Sequence, residues 1–197
     1  MQNTCEDLFL GFVEKTVRDL IWEARQLMDE MDYLKARSIL DPLVRQGNPV
    51  ALYFAASFGD QGESIDEYER RHIRQLEASA KMGFPPALHA LAICYDAGDM
   101  VERNVTKAAL LFKKAAEAKH PHAQWIYGND LLFGRCGIEH DEIRGLNFIR
   151  ESAEAKFEGA IVSMAEMYEN GLHGFPRDAA KAREWRDKLN DPGMIGY

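Results

Sequence analysis

A repeat of 36 or 37 residues constrains the fold of this chain more than any other feature. Four segments begin with alanine at positions 51, 87, 123 and 160, and each has a small residue five positions on and a glycine eleven positions on. The small residues are Ala56, Ala92, Gly128 and Ala165, and the glycines are Gly62, Gly98, Gly134 and Gly171. Self-similarity at such a period indicates an array of supersecondary units that bury their apolar faces against one another.

Each unit has the pattern of a helical hairpin. In the segment from Ala87, the residues Leu91, Ala92 and Tyr95 follow at helical spacing and lie on one face. Gly98 is expected to end this helix, because glycine enters a left-handed C-cap without strain. Equivalent residues precede each second helix and are predicted to cap it: Asn104, Asp141 and Asp178. Prolines are expected to punctuate the exits: Pro49, Pro85 and Pro121.

Stacking buries the apolar face that one hairpin leaves open, so the sequence predicts an all-α fold, an α-solenoid of stacked helical hairpins in a single domain. Residues 1–50 are interpreted as an N-terminal cap helix, from about Thr4 to Asp29, with a degenerate first hairpin whose second helix is Tyr33–Gln46. The four repeats are predicted at 51–86, 87–122, 123–159 and 160–189, and a tail follows at 190–197.

The repeat resembles the Sel-one-like repeats, which are related to tetratricopeptide repeats. The last unit, AIVSMAEMYENGLHGFPRDAAKAREW, carries the family's residues in order: Ala160, Ala165, Tyr168, Gly171, Gly174, Phe175, Pro176, Asp178, Lys181, Ala182 and Trp185. The resemblance covers about residues 51–189 and is poorest in the first of the four repeats, where Gly59 replaces the tyrosine. It implies a right-handed α-α superhelix and a protein-binding or adaptor role. Fold alone does not name a partner.

The net charge limits the classes of macromolecule that the chain is expected to bind. The chain has 24 Lys and Arg against 32 Asp and Glu, a net charge of −8. Such a surface repels phosphate backbones and anionic lipid, so we expect neither a nucleic-acid nor a membrane partner. Three cysteines without motif spacing, and an N-terminus without a basic signal-peptide region, favour the cytoplasm.

The first helices of the repeats show a charge bias. Residues 51–61, 87–97, 123–133 and 160–170 contain no Lys or Arg and five acids. In tetratricopeptide-like stacks these helices line the concave face, so their third, seventh and tenth positions are expected to face a groove. The partner-binding residues predicted on this basis are Tyr53, Asp60, His89, Ile93, Asp96, Trp125, Asn129, Leu132, Glu166 and Glu169. The alternative is that Tyr53, Trp125 and Ile93 pack against a neighbouring repeat.

An acidic groove with aromatic anchors suits a partner protein with a basic or mixed basic and apolar surface. The sequence therefore predicts a non-enzymatic scaffold or adaptor, a monomer or weak dimer. Small acidic members of this family also resemble bacterial immunity proteins, which neutralise a toxin that is often basic. A self-associating structural module, pairing through the helix Thr4–Asp29, is a further alternative.

No residue pattern predicts catalysis, a cofactor or a metal site. His120 and His122 flank a proline at an inter-repeat turn, and no third ligand is near in sequence, so a turn role is favoured over a metal site. The enzyme alternative is a hydrolase that uses such loop histidines.

Overall fold

Helical hairpins form the whole of the described chain, residues 15–190 of a computed structural model. Within those residues there are ten α-helices, one 3-10 helix and no β-strand. The α-helices are α1 (Lys15–Asp29), α2 (Tyr33–Arg45), α3 (Pro49–Ala56), α4 (Ile65–Lys81), α5 (Pro85–Ala97), α6 (Val105–Glu117), α7 (Pro121–Phe133), α8 (Glu142–Glu154), α9 (Glu158–Asn170) and α10 (Ala179–Asp187). The 3-10 helix is Lys188–Asn190.

The chain divides into two compact units, Met1–Leu111 and Phe112–Tyr197, and the division falls within α6. In the first unit α1 packs against α2, α2 against α3, α3 against α4 and α4 against α5. In the second unit α7 packs against α8, α8 against α9 and α9 against α10. This succession confirms the predicted all-α solenoid of helical hairpins. Residues 4–14 of the expected N-terminal helix, and tail residues 191–197, lie outside the described residues.

The predicted caps delimit the helices. The carboxylates of Asp141 and Asp178 accept hydrogen bonds from the first-turn N–H groups of α8 and α10. The Asn104 side chain accepts one from the Lys107 N–H at 2.9 Å. At the other end, α5, α7 and α9 each stop at a left-handed glycine: Gly98, Gly134 and Gly171. Local chemistry thus fixes where most hairpins turn.

The three prolines between repeats each begin a helix. Pro49, Pro85 and Pro121 follow the end of a second helix by four residues, as expected, and they are also the first residues of α3, α5 and α7. This position suits proline, because its fixed φ matches the helix and its missing N–H would have no partner there.

Helix α3 is shorter than expected. It ends at Ala56, five residues before the predicted end, and Gly62 lies in the following loop rather than at the helix terminus. The Arg71 guanidinium reaches across from α4 and donates to the carbonyls of Ala55 and Phe58. Arg71 therefore satisfies carbonyls that a helix terminus leaves without intrahelical partners.

Small residues let the helices of each hairpin approach closely. Among the first and sixth positions of the repeats, the seven alanines have no exposed surface: Ala51, Ala56, Ala87, Ala92, Ala123, Ala160 and Ala165. Gly128 in α7 faces Gly145 in α8, and a Cβ built on Gly128 would lie 2.9 Å from the Gly145 carbonyl oxygen. These columns therefore have a packing role, as their spacing predicted.

Buried serines add a polar link within two hairpins. Ser79 in α4 donates to the Pro49 carbonyl at 2.6 Å, and Ser152 in α8 donates to the Pro121 carbonyl at 2.7 Å. Each bond joins the last turns of a second helix to the first residue of its partner helix. Because both hydroxyls are fully buried and paired, they specify the alignment of the two helices.

Candidate protein-binding site

The third, seventh and tenth positions of each first helix form what we call the first-helix stripe. In α5 the stripe is His89, Ile93 and Asp96. Ile93 is 40% exposed, which is high for a large aliphatic side chain, and Asp96 is also exposed. On the opposite side of α5, Leu91 and Ala92 are buried. The stripe of α5 therefore offers an apolar side chain beside a carboxylate.

The stripe of α9 has the same character. Val162 is 36% exposed, and Glu166 and Glu169 are exposed one and two turns further along the helix. Glu169 forms an ion pair with Arg186 of α10, and that hydrogen bond lowers the pKa of the Glu169 carboxyl. Within residues 15–190, neither Glu166 nor Asp96 of α5 forms an ion pair. These two carboxylates are therefore available to a cationic partner.

In α7 the stripe packs against its own unit. The Trp125 indole is half-buried, and its Nε1–H donates to Ser163 Oγ of α9 at 3.0 Å. The Asn129 amide donates to the Trp125 carbonyl at 2.7 Å. Leu132 is only 4% exposed and belongs to a core cluster with Ile149 and Ile161. Leu132 is thus a core residue, contrary to the expectation that it faces a partner.

In α3 and the loop that follows it, the stripe residues Tyr53 and Asp60 also contact other residues of their own unit. The Tyr53 ring packs against Phe84, with ring centroids 5.4 Å apart. Asp60 forms ion pairs with Arg37 of α2 and Arg71 of α4. The contacts of Tyr53 and Trp125 follow the packing alternative, whereas Ile93 remains exposed.

The acidic character of the first helices is weaker than their sequence indicates. Asp60 and Glu169 are neutralised by arginines of neighbouring helices, and Asp130 of α7 is buried. Sequence reasoning counted charges helix by helix, so it missed the partners that arrive from second helices. The basic residues on the second helices indicated that such ion pairs could form. Which carboxylate each of them contacts depends on side-chain geometry.

The two histidines at the inter-repeat turn, His120 and His122, have structural roles. His120 is the N-cap of α7, and its Nδ1 accepts a hydrogen bond from the Ala123 N–H at 3.3 Å. Burial, followed by the proximity of His122, lowers the pKa of His120 to about 4. The His122 ring stacks on Phe157 with centroids 4.7 Å apart, and burial lowers the pKa of His122 as well.

Metal binding, cysteine reactivity and membrane insertion can each be compared with the described residues. In the described part of the chain, no three His, Cys, Asp or Glu side chains are grouped as a metal would require. Cys94 is buried, and burial raises the pKa of its thiol. Among the helices of residues 15–190, none combines the length and the apolar character needed to cross a bilayer.

Stacked helical hairpins with tight alanine and glycine columns define the class, an α-solenoid repeat protein. The Sel1 repeat model matches residues 85–120, 121–157 and 160–185, half of the chain, and the chain belongs to the Sel1 repeat family. Repeats of this family are typically non-catalytic scaffolds that bind other proteins. Residues 51–84 lie outside the match, so the repeat predicted at 51–86 stays a prediction.

Two similar curated proteins come from yeasts. Chitin synthase regulatory factor 2 of Schizosaccharomyces pombe is 30% identical over 107 residues, which cover 54% of this chain and 21% of that protein. Protein SHC1 of Saccharomyces cerevisiae is 29% identical over 142 residues, which cover 69% of this chain and 28% of that protein. The chain therefore spans less than a third of either relative.

Solved structures share the fold. A Sel1 repeat protein from Oxalobacter formigenes aligns with a TM-score of 0.70 at 23% identity, covering 86% of this chain and 67% of that one. The protective antigen c5321 of uropathogenic Escherichia coli, described as having an SLR fold, aligns with a TM-score of 0.65 at 26% identity, covering 78% of this chain and 32% of that one.

Proposed function

We propose that this chain is a non-enzymatic adaptor that binds another protein through the first-helix stripes of α5 and α9. The observation that carries this function is the pairing of an exposed aliphatic side chain with an unpaired carboxylate in each helix: Ile93 with Asp96, and Val162 with Glu166. Large aliphatic groups at the surface gain free energy when a partner covers them.

The chemistry of the stripes selects the kind of partner. An aliphatic contact bordered by a carboxylate is complementary to an apolar side chain next to Lys or Arg. The net charge of −8 adds long-range attraction for a basic protein. The concave groove expected from the family resemblance stays a prediction.

The test needs the partner and matched variants. Pull-down from native lysate with mass spectrometry supplies candidate partners, and the dissociation constant of each is then measured with purified proteins. The double variant Ile93→Ser with Val162→Ser, and the double reversal Asp96→Lys with Glu166→Lys, are expected to weaken binding by about tenfold or more. Leu110→Ser on α6 is the control, because this leucine is exposed on a second helix. Unchanged affinity in both stripe variants would remove the first-helix stripes as the binding surface.

An immunity protein that neutralises a basic toxin in the bacterial cytoplasm is one specific form of this function. The negative net charge supports it, since electrostatic attraction speeds capture of a basic protein. The association rate with such a toxin is expected to fall steeply as ionic strength rises. Cell fractionation tests whether the chain is located in the cytoplasm. A salt-independent association rate would contradict this form while leaving the adaptor function intact.

The hydrolase alternative depends on loop histidines that can exchange protons near neutral pH. His120 does not suit that role, since its pKa is about 4 and its Nδ1 caps α7. Replacing His120 and His122 is therefore expected to change stability rather than to remove an activity. Hydrolysis of a substrate by the purified chain, lost in that double variant, would overturn the non-enzymatic assignment.

A further inference from the structure

The early end of α3 opens a cleft in the first unit. Helix α3 has 8 residues, whereas α5, α7 and α9 each have 13. Where the other first helices continue, residues 57–61 run as an extended loop and leave a cleft of about 1,120 Å³ against the first hairpin. We call it the turn cleft, and its apolar lining is Met28, Tyr33, Leu34 and Phe58.

The turn cleft opens beside an unusual group of exposed apolar side chains. Leu34 is 85% exposed, Met31 is 74% exposed and Tyr33 is 51% exposed. All three lie at the turn between α1 and α2. The ring centroids of Tyr33 and Phe58 lie 6.0 Å apart. The exposed apolar side chains are therefore continuous with the apolar lining of the cleft. A cluster of exposed apolar side chains of this kind marks an interaction site.

Charge around the turn cleft identifies the chemistry of its occupant. Asp29, Glu30 and Asp32 alternate with the apolar residues in the sequence. The nearby cations are already engaged: Lys35 pairs with Asp32 at 2.6 Å, and Arg37 pairs with Asp60. Within residues 15–190, Asp29 and Glu30 form no ion pair. Asp29 and Glu30 directly follow the lining residue Met28 in the sequence, so the turn beside the cleft carries two carboxylates that are in no ion pair among the described residues.

We propose that the turn cleft binds a basic, apolar peptide segment of a partner protein. One large apolar side chain enters between Leu34 and Phe58, and flanking Lys or Arg residues meet Asp29 and Glu30. The cleft shares no residue with the stripes of α5 and α9, so this surface goes beyond the proposed function and gives the chain a second contact. Two contacts on one partner increase affinity through effective concentration.

The test uses the full chain, labelled with 15N, and three synthetic peptides. The first contains Leu and Lys in an amphipathic pattern, the second replaces each Leu with Ser, and the third replaces each Lys with Glu. The Leu and Lys peptide is expected to bind at least tenfold tighter than the other two, and to shift the amide signals of residues 28–37 and 57–61. Leu34→Ser is expected to weaken it at least tenfold. Asp29→Asn with Glu30→Gln is expected to weaken it severalfold and to reduce its salt dependence.

Ile143→Ser is the matched control, because Ile143 is a similarly exposed aliphatic residue in the second unit. Equal affinity for Leu34→Ser, or signal shifts confined to α5 and α9, would overturn the turn cleft as the binding site. Sedimentation that shows a dimer lost in Leu34→Ser would assign the cleft to a second copy of the chain. Displacement of the probe by a synthetic peptide of residues 1–14 would assign it to that segment. Because Leu34→Ser leaves Ile93 and Val162 intact, its result is separate from the test of the first-helix stripes.

Discussion

Protonation of His120 is expected to destabilise the second unit in acid. The neutral ring accepts the Ala123 N–H through Nδ1, and a protonated ring cannot accept that bond. Burial also disfavours the charged ring, so the pKa of His120 falls to about 4 in the folded chain. An unfolded histidine titrates near 6.5.

The direction of the effect follows from these two pKa values. The folded state takes up the proton less readily than the unfolded state, so acid favours unfolding. The contribution of His120 is complete above about pH 6.5 and is lost as the pH falls toward 4. Each pKa unit corresponds to about 1.4 kcal/mol, so roughly 2.5 kcal/mol of unfolding free energy is lost between pH 7.5 and 4.5.

The assay compares urea unfolding of the wild type and His120→Asn at pH 7.5 and 4.5, followed by tryptophan fluorescence, to which Trp22, Trp125 and Trp185 contribute. Asparagine is a good N-cap that does not titrate. The wild type is expected to lose about 2 kcal/mol more than His120→Asn over this range. His140→Asn, which replaces an exposed histidine, is the control and is expected to behave as the wild type. Equal losses in the wild type and His120→Asn would refute the burial argument.

Two substitutions test the hairpin contacts of the second unit. Gly145→Ala places a methyl group 2.7 Å from the Gly128 carbonyl oxygen and is expected to cost about 1–3 kcal/mol in urea unfolding, whereas Gly59→Ala, where nothing lies within 4 Å, is expected to change stability by less than about 0.5 kcal/mol. Equal effects of the two changes would contradict the close approach of α7 and α8. Ser152→Ala removes the buried bond to the Pro121 carbonyl and is expected to cost about 1–2 kcal/mol by the same measurement, and an unchanged midpoint would show that this bond does not stabilise the hairpin.

Much of the fold could be predicted because the repeated residues determine helix ends and helix contacts through short-range interactions. The buried alanine columns, the capping residues such as Asp141, and the glycine ends such as Gly134 each follow from short-range geometry. The end of α3 could not be predicted in this way. Arg71, fifteen residues beyond Ala56, donates across the hairpin to the carbonyls of Ala55 and Phe58 at this end, and no local pattern contains that contact.

The exposure of the first-helix stripes was predicted less completely for the same reason. Helical spacing placed Ile93 and Glu166 correctly on an exposed face. It also included Leu132, which a neighbouring helix buries, and Asp60, which two arginines neutralise. Burial and ion pairing between helices depend on distances that no single helix pattern contains.

Site-specific photo-crosslinking tests most directly whether the first-helix stripes bind a partner. A benzoylphenylalanine replaces Ile93 or Val162 on the stripes, or Leu110 or Ile143 on second helices, and each chain is irradiated in native lysate. All four side chains are at least a third exposed, so solvent access alone does not distinguish them. One and the same protein is expected to crosslink to positions 93 and 162 and not to positions 110 and 143. Crosslinks of equal yield at all four positions, or at 110 and 143 alone, would contradict the function proposed for the stripes.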